Sequence, residues 1–174
     1  NGRNNLLNAL AAATVGYLSG ITAYEIAKAL SSVSAPPQRG EVLHFADGFT
    51  VINDSYNSNP TALLSMVHTL VEGAASAKRK IVVAGEMLEL GPDAANIHRE
   101  TGKKVAASGI DMLIGVRGLA SEMVDGAKSG GLTAEFAVDS EVAGDRAVQN
   151  VAAGGGSTGS GEDRRSTRLP AEAG

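Results

Sequence analysis

Residues 80 to 87 read KIVVAGEM, and this stretch decides the fold. Its centre, IVVAG, is an unbroken apolar run, without the polar–apolar alternation of a strand that has one face in water. Isoleucine and valine favour strands, and the run is too short for a typical helix. It therefore predicts a strand buried on both faces that opens into a polar loop at Glu86.

Strands and helices alternate around this segment. Asn59 and Pro60 are typical of a helix N-terminus, and that helix should end near Ala75. Further predicted elements follow in the order helix, strand, helix, strand, helix, at residues 94–107, 111–116, 119–128, 134–138 and 141–152. Such alternation indicates right-handed βαβ crossovers, and hence an α/β fold with a mostly parallel sheet and helices on its faces.

The first part of the chain has a different pattern. Residues 5–18 are rich in alanine and leucine and predict a helix, and Thr22 with Glu25 has the spacing of a capping box at the start of a second one. Residues 31–38, SSVSAPPQ, predict a hinge because prolines favour extended backbone. The segments EVLHFA and FTVIN flank an Asp-Gly pair at 47–48, which predicts a hairpin.

Composition excludes several classes of protein. The chain has 174 residues, 43% of them hydrophobic, which is enough for one core. A net charge of −4 and an aromatic content of 3% argue against nucleic-acid binding. There is no cysteine, and no apolar run approaches the roughly 20 residues that cross a bilayer. We therefore expect a cytoplasmic protein without membrane or nucleic-acid partners and, because the first residue is asparagine, a piece of a longer protein.

A polar loop, NDSYNSNP at residues 53–60, follows the predicted strand TVI. Seven consecutive side chains can form hydrogen bonds, and only Asp54 is charged. In open α/β sheets, ligands bind at the carboxyl ends of strands, where this loop and GEMLELG at 85–91 both lie. The loop is therefore either the rim of a binding site or a set of turns with a helix cap at Asn59.

Other candidate sites carry weaker signals. The histidines at 44, 68 and 98 lack the HxxH and HExxH spacings, so the sequence predicts no zinc site. Glu86 and Glu89 flank a short apolar run, where they would be either metal-linked carboxylates or part of a solvated loop face. The chain contains no GxxxxGK[ST] phosphate loop.

Four stretches carry a resemblance to a known family: GRNNLLNALAAA at 2–13, QRGE at 38–41, NDSYNSNP, and GEMLELG followed by His98. Together they resemble the motifs of the Mur ligases over residues 1 to about 150. The last two resemble the branch that adds D-alanyl-D-alanine to UDP-N-acetylmuramoyl-tripeptide in peptidoglycan synthesis.

The resemblance implies three parts. Residues 1–35 would end a central ATP-binding domain, 36–153 would form a Rossmann-like carboxyl-terminal domain, and 154–174 would be an atypical tail whose Gly- and Ser-rich composition predicts disorder. Family members use ATP and Mg²⁺ to convert a carboxylate into an acyl phosphate, which the incoming amine attacks. The phosphate loop is absent, so we expect this chain alone to be an inactive part of a monomeric enzyme.

Matching the motifs residue by residue implies a set of contacts to two small molecules. For the nucleotide, these are Asn5 and Asn8 on the adenine side, Arg39 across the cleft and Asp54 at the ribose. For D-alanyl-D-alanine, they are Ser55, Asn57 and Asn59, whose polar groups suit a zwitterion. Glu86 and His98 would have supporting roles, and no residue is implied as a metal ligand.

The sequence departs from the family motifs at several points. Asn4 stands where the family has His, Gln38 where it usually has Gly, and Asn53 and Glu86 where it has Asp. The tail also lacks the family's final strand and V-K-G-S-R loop. Two alternatives remain. One is another Mur- or folylpolyglutamate-type amide ligase, and the other is a non-enzymatic α/β module that binds a nucleotide or dipeptide. The third residue of the acceptor peptide stays open.

Overall fold

The computed structural model describes residues 3–33 and 37–154. The predicted hinge lies partly outside these residues, and so does the predicted disorder of the tail beyond residue 154. The helices are α1 (Arg3–Leu18), α2 (Ala23–Ser31), α3 (Pro60–Gly73), α4 (Ala94–Ala106), α5 (Ala120–Ser129) and α6 (Ser140–Gly154). The strands are β1 (Glu41–His44), β2 (Thr50–Asn53), β3 (Ile81–Gly85), β4 (Met112–Val116) and β5 (Ala134–Ala137), and a single 3₁₀ turn, Gly91–Asp93, precedes α4.

Two sheets organise these elements. Strands β3, β4 and β5 are parallel, in that order, with Ile81 opposite Met112 and Leu113 opposite Ala134. Strands β1 and β2 form a separate antiparallel hairpin, and Phe45 stacks on Phe49 beside its turn. The predicted α/β fold and the predicted hairpin are both confirmed.

Helices cover both faces of the parallel sheet. On one face Leu113 packs with apolar residues of α3, α4 and α5, among them Val67, Val105 and Met123. On the other face Ile114 packs with residues of α6 such as Ala143. Every residue of β4 is buried, and each large side chain there contributes about 1.5–3 kcal/mol of hydrophobic stabilisation. In β3, by contrast, Val82 and Ala84 are buried but Val83 is 48% exposed, so the prediction of a strand buried on both faces is wrong for β3, which lies at the edge of the described sheet.

Helices α4 and α5 approach each other at the level of the backbone. A Cβ on Gly102 would overlap the carbonyl oxygen of Met123, and one on Gly126 would overlap that of Arg99. Only glycine allows this separation, because any larger residue would force the two helices apart. The contact fixes where α5 begins, and hence the geometry of the turn after β4.

Helix α2 begins with the predicted capping box. The Thr22 N–H and hydroxyl donate to the Glu25 carboxylate, and the Glu25 N–H donates to the Thr22 oxygen. The hydrogen bonds from Thr22, first that of its side chain, lower the pKa of the Glu25 carboxyl.

Helix α1, which contacts α2, carries leucines that are mostly exposed, at positions 6, 7, 10 and 18. None of the helices described has the length and apolar composition that a bilayer crossing requires.

We predict that Gly102→Ala destabilises the protein, although alanine is the better helix former. The new methyl group meets the Met123 carbonyl, and overpacking of this kind costs about 1–3 kcal/mol. Gly144→Ala in α6 is the matched control, because its Cβ would meet no atom within 4 Å, so a gain of about 0.4–1 kcal/mol is expected. Urea unfolding measures both. A neutral or stabilising Gly102→Ala would contradict the close helix contact.

Candidate functional site

Two of the family-like motifs meet at one end of the β1–β2 hairpin. QRGE leads into β1 and NDSYNSNP leaves β2, and an antiparallel pair places the start of one strand beside the end of the other. Glu41 lies opposite Asn53, and its carboxylate accepts hydrogen bonds from the Gln38 N–H (3.3 Å) and the Asn53 side-chain amide (3.5 Å). The Tyr56 N–H donates to the Gln38 carbonyl at 3.2 Å. We call these segments, residues 37–41 and 53–59, the loop pair.

The backbone around Arg39 is unusual. Gln38 and Gly40 both have positive φ, 60° and 71°, and therefore lie in the left-handed region. This conformation costs a residue with a Cβ about 1–2 kcal/mol, which gives a physical reason for the family's glycine where this chain has Gln38. Strained backbone clusters at ligand sites, so this turn, with Arg39 between its two left-handed residues, is a candidate ligand site.

Part of the polar loop's hydrogen-bonding capacity is used within the loop. The Asn53 side-chain oxygen accepts from the N–H and hydroxyl of Ser55, at 3.3 and 2.8 Å, which forms an Asx turn. The Asn59 side-chain oxygen accepts from the Ala62 N–H at 2.9 Å and caps α3, as predicted. Turns and a cap therefore account for Asn53, Ser55 and Asn59.

The other four side chains of the loop form no hydrogen bond to described residues, and two of them, Asp54 and Asn57, are predicted site residues. Asp54 is half-buried and Asn57 is exposed, and no hydrogen bond or ion pair between residues that the structure describes engages either side chain. Because Asp54 is only half-buried, its carboxylate is accessible to a ligand that donates hydrogen bonds. The turn-and-cap interpretation is thus confirmed for three residues, and the binding-site interpretation remains a prediction for the others. Because β2 lies in the antiparallel hairpin and not in the parallel sheet, the rule for the carboxyl ends of strands does not apply to this loop.

Tyr56 is a site residue that motif matching did not assign. The Arg39 guanidinium carbon lies 4.1 Å from the centre of its ring, within the range of a cation–π contact. The two residues belong to separate motifs, and only the hairpin brings them together. No signal in the sequence pairs them, because arginine and tyrosine are common on any surface.

Glu86, which follows β3, ties that strand's loop to the start of α5. Its carboxylate accepts the Leu119 N–H at 3.1 Å and lies against Gly118, where a Cβ would overlap it. A negative charge at a helix N-terminus is favourable. The Glu86 carboxylate therefore has a structural partner, whereas Glu89 is exposed as expected of a solvated loop face, and the supporting role of Glu86 remains a prediction.

His98 anchors the same loop from the opposite side. It is 0% exposed, its Nε2 accepts the Met87 N–H at 2.9 Å, and its Nδ1 lies 2.7 Å from the Ala94 carbonyl. A carbonyl only accepts, so the proton must reside on Nδ1 and the ring is the neutral tautomer. Loop 86–90 is thus held at two adjacent residues, Glu86 by the start of α5 and Met87 by His98 of α4.

The structure distributes the predicted site residues over three places. The loop pair brings together Arg39, Asp54, Ser55, Asn57 and Asn59, and the second loop contains Glu86 and contacts His98. Asn5 and Asn8 lie in α1, where Asn8 is exposed, and no hydrogen bond between described residues links Asn8 to the loop pair. These ligand contacts remain predictions.

The loop pair presents one acceptor, on Asp54, and one set of donors, on Arg39, that no described residue engages in a hydrogen bond. An acceptor such as Asp54 suits sugar hydroxyls, and an arginine suits phosphate oxygens. By contrast, no group of three or more His, Asp or Glu side chains capable of holding a metal is present within residues 3–33 and 37–154.

Comparison with known proteins shows similarity to a family model and to individual proteins. Residues 38–157 match the family model described as Mur ligase, glutamate ligase domain. The chain is 32% identical over 126 residues to UDP-N-acetylmuramoyl-tripeptide–D-alanyl-D-alanine ligase of Bacillus subtilis (strain 168), covering 72% of this chain and 27% of that protein. The chain therefore spans about a quarter of that relative's length.

Solved structures show the same likeness. A crystal structure of MurF from Acinetobacter baumannii superposes with a TM-score of 0.71 at 25% identity, covering 87% of this chain and 31% of that one. MurF ligase from Thermotoga maritima, solved in complex with ADP, superposes with a TM-score of 0.62 at 22% identity over 86% of this chain and 38% of that one. The predicted resemblance and fold are confirmed.

We predict that His98→Ala lowers the free energy of unfolding by about 2–4 kcal/mol. The change removes a fully buried ring and leaves the Met87 N–H without its acceptor. His68→Ala is the control, since His68 is an exposed residue of α3 paired with Glu72. Urea unfolding gives the energies, and hydrogen exchange should accelerate at the Met87 amide. Equal losses in the two variants would show that His98 does not hold the loop.

Proposed function

The chain belongs to the Mur ligase family, and from this premise we propose that it forms the carboxyl-terminal part of an ATP-dependent amide ligase. The full-length protein would join D-alanyl-D-alanine to UDP-N-acetylmuramoyl-tripeptide during peptidoglycan synthesis. The observation that carries the proposal is the loop pair, in which Arg39 lies on one segment and Asp54 on the other, and neither has an ion-pair or side-chain hydrogen-bond partner among the described residues.

The residues of the loop pair have separate tasks in this proposal. Asp54 accepts hydrogen bonds from the ribose hydroxyls, because its carboxylate is only half-buried and has no hydrogen-bond partner among the described residues. Arg39 donates to the phosphates from the adjacent turn. Asn8, together with Asn5, would meet the adenine from α1.

The dipeptide would bind beside the nucleotide. Asn57 is exposed, and its amide can donate to a carboxylate and accept from an ammonium group. Ser55 and Asn59 are already held by the Asx turn and the helix cap, which fixes their orientation. A rigid rim lowers the entropic cost of binding a small zwitterion.

ATP with Mg²⁺ supplies the phosphoryl group that turns a carboxylate into an acyl phosphate. This chain contributes binding and orientation, since no phosphate-loop motif occurs in its 174 residues. Glu86 and His98 support the site by holding loop 86–90 in place. Because the chain spans only part of its relatives, turnover belongs to the full-length protein.

The domain organisation is part of the proposal. Residues 1–35 would belong to the central domain, 36–153 to the carboxyl-terminal one, and the atypical tail would follow. Exposed leucines on α1, at positions 6, 10 and 18, support the first assignment, because apolar patches on a helix ordinarily pack against protein. We further propose a cytoplasmic monomer, which the acidic charge and the lack of cysteine suit.

We predict that Asp54→Ala in the full-length enzyme raises the KM for ATP by about ten- to a hundredfold. Losing a charged hydrogen bond costs about 1.5–3 kcal/mol, and Asp54 has no structural partner among the described residues whose loss would explain the effect. Steady-state kinetics with varied ATP measure it. Asp145→Ala, an exposed change in α6, should leave the constants unaltered. Unchanged KM and kcat in Asp54→Ala would remove Asp54 from the site.

A further inference from the structure

The stacked pair of Arg39 and Tyr56 is the starting point. The guanidinium lies 4.1 Å from the ring centre, yet the ring is 64% exposed and Arg39 is exposed as well. A contact at such an exposed place adds little to folding, because water competes for both groups. Stability therefore does not explain why the two side chains are held in contact.

Backbone contacts hold the two residues in register. The Tyr56 N–H donates to the carbonyl of Gln38, the residue before Arg39. Left-handed backbone at Gln38 and Gly40 then turns the chain sharply on both sides of the arginine. The side chains meet because their main chains are fastened together.

The donors of Arg39 are free to bind a ligand. No hydrogen bond or ion pair within the described ranges, 3–33 and 37–154, uses its N–H groups, and Glu41 in the same turn is occupied by Gln38 and Asn53. A flexible arginine loses much rotamer entropy when it binds, unless its side chain is already held. The Tyr56 ring provides that restraint without using any donor.

We propose that Tyr56 is a positioning residue, whose ring pre-organises the Arg39 guanidinium for an anionic ligand of the nucleoside diphosphate or triphosphate class. The inference rests on the proposed function, because Arg39 is assigned there to the nucleotide phosphates. The role of Tyr56 is indirect: the ring contacts Arg39, and the hydroxyl is not needed.

The test is a titration of the full-length protein with ADP, followed by NMR. Tyr56→Phe keeps the ring and should bind within twofold of the unchanged protein. Tyr56→Leu loses the cation–π contact and should bind about two- to fivefold more weakly. Tyr24→Leu, at a tyrosine in α2 that is 77% exposed, is the matched control and should have no effect.

Two readouts separate positioning from a structural role or a direct contact. The side-chain protons of Arg39 should show a ring-current shift that persists in Tyr56→Phe and disappears in Tyr56→Leu, with unchanged thermal unfolding. In an Arg39→Ala background, Tyr56→Leu should weaken ADP binding no further. If Tyr56→Leu still weakens binding in that background, the ring itself contacts the nucleotide and the proposal is wrong.

The remaining outcomes are equally informative. Loss of the ring-current shift without any change in ADP affinity would overturn the positioning role alone. Failure of the unchanged protein to bind ADP would instead contradict the assignment of Arg39 and Asp54 to a nucleotide, and with it the functional part of this inference. Absence of the ring-current shift in the unchanged protein would show that the pair does not form in solution.

Discussion

The burial of β4 on both faces is the constraint on which the rest of the structure depends. A strand with no wet face requires helices on each side, and α4 with α5 covers one face while α6 covers the other. Gly102 and Gly126 let the covering pair approach closely enough to seal the core. The layers then place the loop after β3 and the turn after β4 side by side at one edge of the sheet.

Hydrogen bonds at that edge convert packing into a defined loop. Glu86 reaches the start of α5, and the neighbouring Met87 is held by His98 from α4. A shift of either helix would break one of these bonds, so the position of the loop depends on the positions of both helices. The polar residues here therefore act mainly through the positions of others, as supporting residues of ligand sites commonly do.

The hairpin performs the same task for the other two motifs. Its register fixes Glu41 opposite Asn53, and the loops at that end then share hydrogen bonds and the stacked Arg39–Tyr56 pair. Within NDSYNSNP, some side chains build the turn while Asp54 and Asn57 remain available. The polar residues of this loop thus divide into those that form its turn and helix cap and those whose side chains can bind a ligand.

The sequence by itself determined the features that depend on near neighbours. The capping box at Thr22, the cap at Asn59 and the hairpin around residues 47–48 all arise from interactions within a few positions, so local patterns predict them. Only the tertiary structure decided that Glu86 meets Leu119, 33 positions away, and that Arg39 meets Tyr56. Such contacts depend on packing and register, which the pattern of apolar residues constrains without specifying individual side-chain pairs.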